Sequence, residues 1–179
     1  MSWQIDQSHS NIYFTARHMM ISKVRGRFET FSGSVNFDEA NPINTSVNIE
    51  VDLASLNTRE EQRDEHLKSP DFFDVENHPT MRFVSSRVEQ VDEQNGRLYG
   101  NLTIKGISKE IVLDVAYAGT AKSPWGGVSA GFSARGVINR KEWGLTYNQV
   151  LETGGVLIGE KINIEIELEL AQVAEAETA

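Results

Sequence analysis

The chain has 179 residues, room for one domain and little more. Its formal net charge is -9, a balance that repels nucleic acid and, away from local basic patches, anionic membranes. There are no cysteines, which excludes disulfides, thiolate catalysis and thiolate-bound zinc or iron–sulfur centres.

The opening residues, MSWQIDQSHS, contain neither the basic nor the apolar segment of a leader, and no apolar run approaches a membrane span. A cytoplasmic protein without stable membrane insertion is the expectation. Period-two alternation then dominates. NIYFTARH puts Ile12, Phe14, Ala16 and His18 on one face. Between Gly26 and Phe37 the phase changes, because Phe28 belongs to one register and Phe31, Val35 and Phe37 to the other. A bulge or bend near Glu29–Thr30 reconciles them. SVNIEVDL alternates cleanly through Val47, Ile49, Val51 and Leu53.

One helix is expected, over TREEQRDEHLK, with Thr58 as N-cap, Glu61 as its capping-box partner and Pro70 as the stop. Alternation resumes at RLYGNLTI, EIVLDVAY, VSAGFSARGVI and INIEIELEL. Asn95-Gly96 is a strong hairpin signal, and NRKEWGL at 139–145 reads as a short helix or tight turn. About eight strands with one apolar face each, and no βαβ rhythm, describe an antiparallel sheet that closes into a barrel or stacks as a sandwich.

The chemistry-bearing residues are sparse. His9, His18, His66 and His78 lack metal-ligand spacing, so no metal site is expected. His66 with Asp64 and His78 with Asp74 look like acid–base pairs, but no nucleophile elbow accompanies Ser69. The glycines form no phosphate-binding loop. No catalytic residue and no cofactor are therefore assigned. Aromatic residues are scattered over most elements, which suits either a filled core or an apolar ligand cavity. Arg17, Arg25 and Arg27 belong to the one local basic cluster and are candidates for a rim that receives an anionic head group.

The ordered set WQIDQSHSNIYFTARH (3–18), VRGRFETFSGSVNFD (24–38), LASLNTREEQRDEHLKSPDFFD (53–74), HPTMRF (78–83), LYGNLTIKGISKEIVLDV (98–115), NRKEWGL (139–145) and VLIGEKINIEIELE (156–169) resembles the YceI-like family of polyisoprenoid-binding, lipocalin-like proteins. The resemblance implies an all-β fold: an eight-stranded antiparallel lipocalin-like barrel with one short covering helix, over 1–170; the small and acidic residues 171–179 are expected, on composition, to form a flexible tail. It implies a cavity for a long-chain apolar lipid, a polyisoprenoid or isoprenoid quinone-like molecule, held as carrier or reservoir and without catalysis. It favours a homodimer. Export, common among relatives, is not carried over to a sequence that opens without a leader.

On that basis the ligand wall is expected to comprise Phe14, Ala16, His18, Phe28, Phe31, Phe72, Phe73, Phe83, Leu102, Leu113, Val115, Phe132 and Ile164. Asp6, His9, Asp64 and His66 match the family's motif and read as structural, tying the first strand to the helical cover. Two alternatives stay open: an enzyme acting on a hydrophobic molecule in the same cavity, with His18 or a buried carboxylate as acid–base, and an interaction module with a filled barrel whose acidic face, Glu165 to Glu169, binds a partner.

Overall fold

The computed structural model describes residues 2–152 and 155–173. In chain order the strands are β1 (Ser2–Ile5), β2 (Asn11–His18), β3 (Ser22–Phe28), β4 (Phe31–Asn36), β5 (Ser46–Asp52) and β6 (Leu56–Asn57). The helix α1 (Glu61–Lys68) follows. Then come β7 (Thr80–Gln90), β8 (Asn95–Ile104), β9 (Ile107–Lys122), β10 (Val128–Asn139) and β11 (Lys161–Val173). All pairings are antiparallel, in the order β4-β5-β7-β8-β9-β10-β11-β2-β3-β6, with β1 on β11.

The two ends of that path meet because β3 and β4 are one bent strand, interrupted at Glu29–Thr30. Glu29 N donates to Ser55 O and Asp52 N to Thr30 O. The bend resets the side-chain phase, so Phe28, Phe31 and Val35 are all buried. This wraps the sheet around its apolar face, as the alternation requires. Among the described residues eleven strands rather than eight are present: the bend divides one expected strand into two, and β1 and the two-residue β6 are additions too short to show periodicity. Further bulges, at Ser86 in β7 and at Ala118 in β9 opposite Gly131/Phe132, keep inward residues inward along strands that would otherwise drift.

Two glycines let aromatic rings cross the interior. A Cβ on Gly26 would overlap the Phe14 ring, and one on Gly100 the Phe83 ring. Each ring therefore lies over a neighbouring strand's backbone.

Three local expectations are corrected. Glu60, not Thr58, caps α1, accepting from Gln62 N and Arg63 N. Thr58 is buried instead beneath the helix, donating to Asp64 Oδ1 and accepting from Arg63 Nε at 2.7 Å. Asn95-Gly96 opens β8, and the turn lies just before it, organised by Asp92, which accepts from Gln94 N and Asn95 N. β11 continues through Val173, with Ser2 and Gln4 opposite Val173 and Ala171, so Ala171 to Val173 are strand. Residues 174–179, the rest of the expected tail, lie outside the described residues.

The barrel has two unlike ends. The upper end carries the β7–β8 and β9–β10 turns and the connection 37–45. The lower end carries the β2–β3 and β8–β9 turns, α1, and the long connection from β10 to β11. Among the described residues no helix is long and apolar enough to cross a membrane.

Candidate lipid-binding cavity

The inner face of the sheet encloses a cavity of about 330 Å³ lined almost wholly by apolar side chains. β2 contributes Phe14 and Ala16, the bent strand Phe28 and Phe31, and the segment after α1 Phe72 and Phe73. Phe83, Leu102, Leu113, Val115, Phe132 and Ile164 complete the part of the wall expected from sequence. The rings support one another: Phe14 and Phe28 centroids are 5.2 Å apart, and Phe28 meets Phe73 edge-on at 6.1 Å.

His18 does not line the cavity. It is the last residue of β2, and there the connection 155–160 crosses to pair with it, His18 opposite Ile158. Ile158 supplies the lining side chain at that level. The expected rim is also displaced. Arg25 and Arg27 stand on the outer face of β3, because they alternate with inward Gly26 and Phe28. Arg25 lies over the Tyr13 ring at 4.0 Å and within 3.6 Å of Glu165, while Arg27 donates to Glu29 at 2.9 Å. Arg17 is exposed and outside the lining.

The buried cation that reaches the cavity is Arg140, which alternation alone did not single out. It is 3 % exposed and opens a 3₁₀ turn, Arg140–Trp143, capped by Asn139 accepting from Lys141 N. Its guanidinium donates to Gly159 O at 2.9 Å, Leu145 O at 2.5 Å and Ile158 O at 3.3 Å. Burial pushes the guanidinium below its usual range, against the opposing pull of Glu160. Those carbonyls occupy the fork, so Arg140 acts as a rivet for the lower end. Trp143, fully buried, donates Nε1–H to Leu102 O at 2.8 Å beside Leu145 and Phe72. The sequence signal for this floor was the NRKEWGL turn, whose apolar residues had to be buried somewhere.

At the upper end the lining runs out to exposed residues: Gln90, Asp92, Glu93, Gln94, Asn95 and Arg97. The mouth is therefore polar and carries carboxylates, while Leu145, Ile158 and Arg140 line the lower end.

The histidine–carboxylate motifs form two separate locks rather than one tie. His66 Nε2 lies 2.9 Å from Asp71 Oδ2, and its ring stands edge-on to Phe72 and Tyr147 at the lower end. At the upper end His9 Nδ1 is 2.8 Å from Asp6 Oδ2 and 3.4 Å from Glu169 Oε2, fastening the segment after β1 to β11. Ser8 Oγ also donates to Asp6 at 2.7 Å. The Asp6, His9 and Glu169 donor atoms lie within 4.8 Å of one another, a grouping invisible in sequence because Glu169 comes from the far end of the chain. Their mutual hydrogen bonds account for the arrangement.

These contacts, led by the His9 hydrogen bond, hold the Asp6 carboxyl at about 2. Asp6 and Glu169 raise the imidazole of His9. The Asp6 contribution is present above its ordinary value near 3.8 and lost as pH falls through about 2. The His9 contribution is present below 6.5 and lost as pH rises through its raised value. Melting curves of the wild type and His9→Ala should therefore differ most between about pH 4 and 6.5 and converge on either side. An unchanging difference from acid to alkaline pH would refute the lock.

The YceI-like domain family matches residues 3–170. A UPF0312 protein of Staphylococcus epidermidis is 35% identical over 170 residues, covering 94% of this chain and 96% of its own. One from Staphylococcus aureus is 36% identical over 171 residues, covering 95% and 97%. Among solved structures, a Campylobacter jejuni YceI protein superposes with a TM-score of 0.77 at 34% identity, over 88% of this chain and 90% of that one. A polyisoprenoid binding domain from Saccharophagus degradans, implicated in plant cell wall breakdown, shares the fold at a TM-score of 0.69 and 14% identity, over 97% and 99%. With the matched domain spanning nearly the whole barrel, the chain belongs to the YceI-like family.

Proposed function

We propose that this protein holds one long-chain apolar lipid, a polyisoprenoid or an isoprenoid quinone-like molecule, along the axis of its barrel, as a carrier or reservoir. The observation that carries the reading is the apolar cavity itself, walled by aromatic and aliphatic side chains from most strands and bordered by exposed polar residues at its upper mouth. A Saccharophagus degradans domain of the same fold, described as polyisoprenoid binding, supports it. Each buried methylene contributes about 0.8 kcal/mol, so roughly ten give about 8 kcal/mol, near micromolar before association costs.

Binding fits the site better than catalysis. His18, one of the two kinds of acid–base group an enzyme would use, stands outside the lining, and Arg140 is committed to backbone carbonyls. The other kind, a carboxylate, is represented in the lining by Glu167, which accepts from Ser133. Native mass spectrometry of the protein as purified should show one apolar molecule per chain, released by organic extraction. Protein that carries nothing, and takes up nothing when offered isoprenoid alcohols, would defeat the proposal.

A further inference from the structure

The β2–β3 turn departs from the rules that shape the rest of the barrel. Ile21 N donates to His18 O, and both central residues, Met19 and Met20, have positive φ, 52° and 64°. These are the features of a type I′ turn, which strongly favours Asn-Gly. The β8–β9 turn solves the same problem with Lys105-Gly106, φ 52° and 76°. Two side chains held in the left-handed region cost stability, and what they place is exposed apolar surface: Met20 is 60% and Ile21 81% exposed.

The neighbouring connection adds to the same patch. Met19 N donates to Leu157 O, and Gly155 approaches Met20 Sδ so closely that a Cβ there would clash. Val150, opposite Val156 in an isolated bridge, is 82% exposed.

The charges around this tip are also unusual. From Gln7 to Phe28 the sequence contains no acid, in a chain of net charge -9. Arg17 and Lys23 are exposed and directly opposite one another across the hairpin, a like-charge pair that destabilises a sheet. Among the described residues neither has an acid within ion-pair distance. Of the acids on the flanking strand and connection, Glu165 is paired with Arg25 and Glu160 with Lys141, while Glu152 lies on the adjacent connection. The acids of α1 and its cap, Glu60, Glu61, Asp64 and Glu65, belong to a separate element of the same end. At physiological salt the Debye length is about 8 Å, so acids farther along the barrel are screened from the tip.

We propose that the β2–β3 tip, apolar Met19, Met20 and Ile21 with Val150 beside them and a collar of Arg17 and Lys23, docks reversibly on an anionic lipid surface. The small convex apolar tip enters the head-group region while the two cations meet lipid phosphates. Turn strain and like-charge pairing are then both explained by a partner that the free protein lacks. The lower end rests on the membrane, and the connection carrying Ile158 and the carbonyls that hold Arg140 is hydrogen-bonded to that tip.

Flotation with vesicles of phosphatidylcholine alone, and of phosphatidylcholine and phosphatidylglycerol in equal parts, tests this on the full chain as purified. The wild type should float with the mixed vesicles, weakly with neutral ones, and less as salt rises. Arg17→Gln with Lys23→Gln should weaken partitioning at least about tenfold. The decisive variant is Met19→Asn with Met20→Gly, which suits the turn better and should melt no lower than the wild type, yet lose vesicle binding. Wild type that ignores mixed vesicles, or a double variant that floats as well as the wild type, overturns the proposal. So does a tip that only pairs two copies of the chain in sedimentation. None of these readouts depends on what the cavity holds, so they fail independently of the lipid-carrier reading.

Discussion

Replacing Trp143 with alanine is expected to destabilise the protein by about 3–5 kcal/mol, the usual range for a fully buried tryptophan, and to lower its melting temperature by roughly 6–20 °C. The size follows from what the ring does. Trp143 is buried with Phe72, Leu102, Ile104 and Leu145, and it satisfies the Leu102 carbonyl. Alanine would remove the bulk and leave that carbonyl unpaired at once. Trp143→Phe separates the two effects: it keeps most of the packing and should lose about 1–3 kcal/mol, the cost of one unsatisfied buried acceptor. Urea unfolding of both variants measures this. A loss below about 1 kcal/mol for Trp143→Ala would show that the lower end does not depend on its floor.

The second large effect concerns the cavity and leaves the fold nearly alone. Ala134 is buried at mid-strand in β10, opposite Val115 on one neighbour and Ile166 on the other, and faces the cavity. Phenylalanine there projects a ring into open space, so the stability change should stay within the 1–3 kcal/mol typical of added core volume. For the ligand the ring divides the tunnel. Losing contact with about half of ten methylenes removes about 4 kcal/mol, roughly a thousandfold in affinity. Affinity measured with an isoprenoid alcohol, beside a melting curve, separates obstruction from unfolding. Unchanged affinity in a folded Ala134→Phe would place the ligand elsewhere.

Much of the wall was legible because period-two alternation reports burial directly when one sheet face is apolar. Phe14, Leu102, Leu113 and Phe132 are inward for that reason, and the phase change at Glu29–Thr30 marks the bend that closes the sheet. What alternation cannot report is where a strand passes out of the wall. His18 continues the inward series in sequence, but the connection carrying Ile158 crosses at that level and takes its place. The basic cluster misled for the complementary reason. Arg25 and Arg27 alternate with Gly26 and Phe28, which fixes them outside the barrel and away from the mouth. Arg140 was hidden because its role depends on three carbonyls from the β10–β11 connection, which no local pattern encodes. The Thr58 cap failed similarly: Thr58 suits an N-cap, but Asp64 and Arg63 draw it under the helix and Glu60 takes the position.

The most direct measurement of the central claim is a titration of delipidated protein with a long-chain isoprenoid alcohol, followed by intrinsic tryptophan fluorescence and calorimetry. Saturable binding of one molecule per chain, with a negative heat-capacity change from apolar burial and tighter binding as the chain lengthens until the cavity is filled, is the predicted result. No saturable binding, or an affinity indifferent to chain length and to Ala134→Phe, would contradict it.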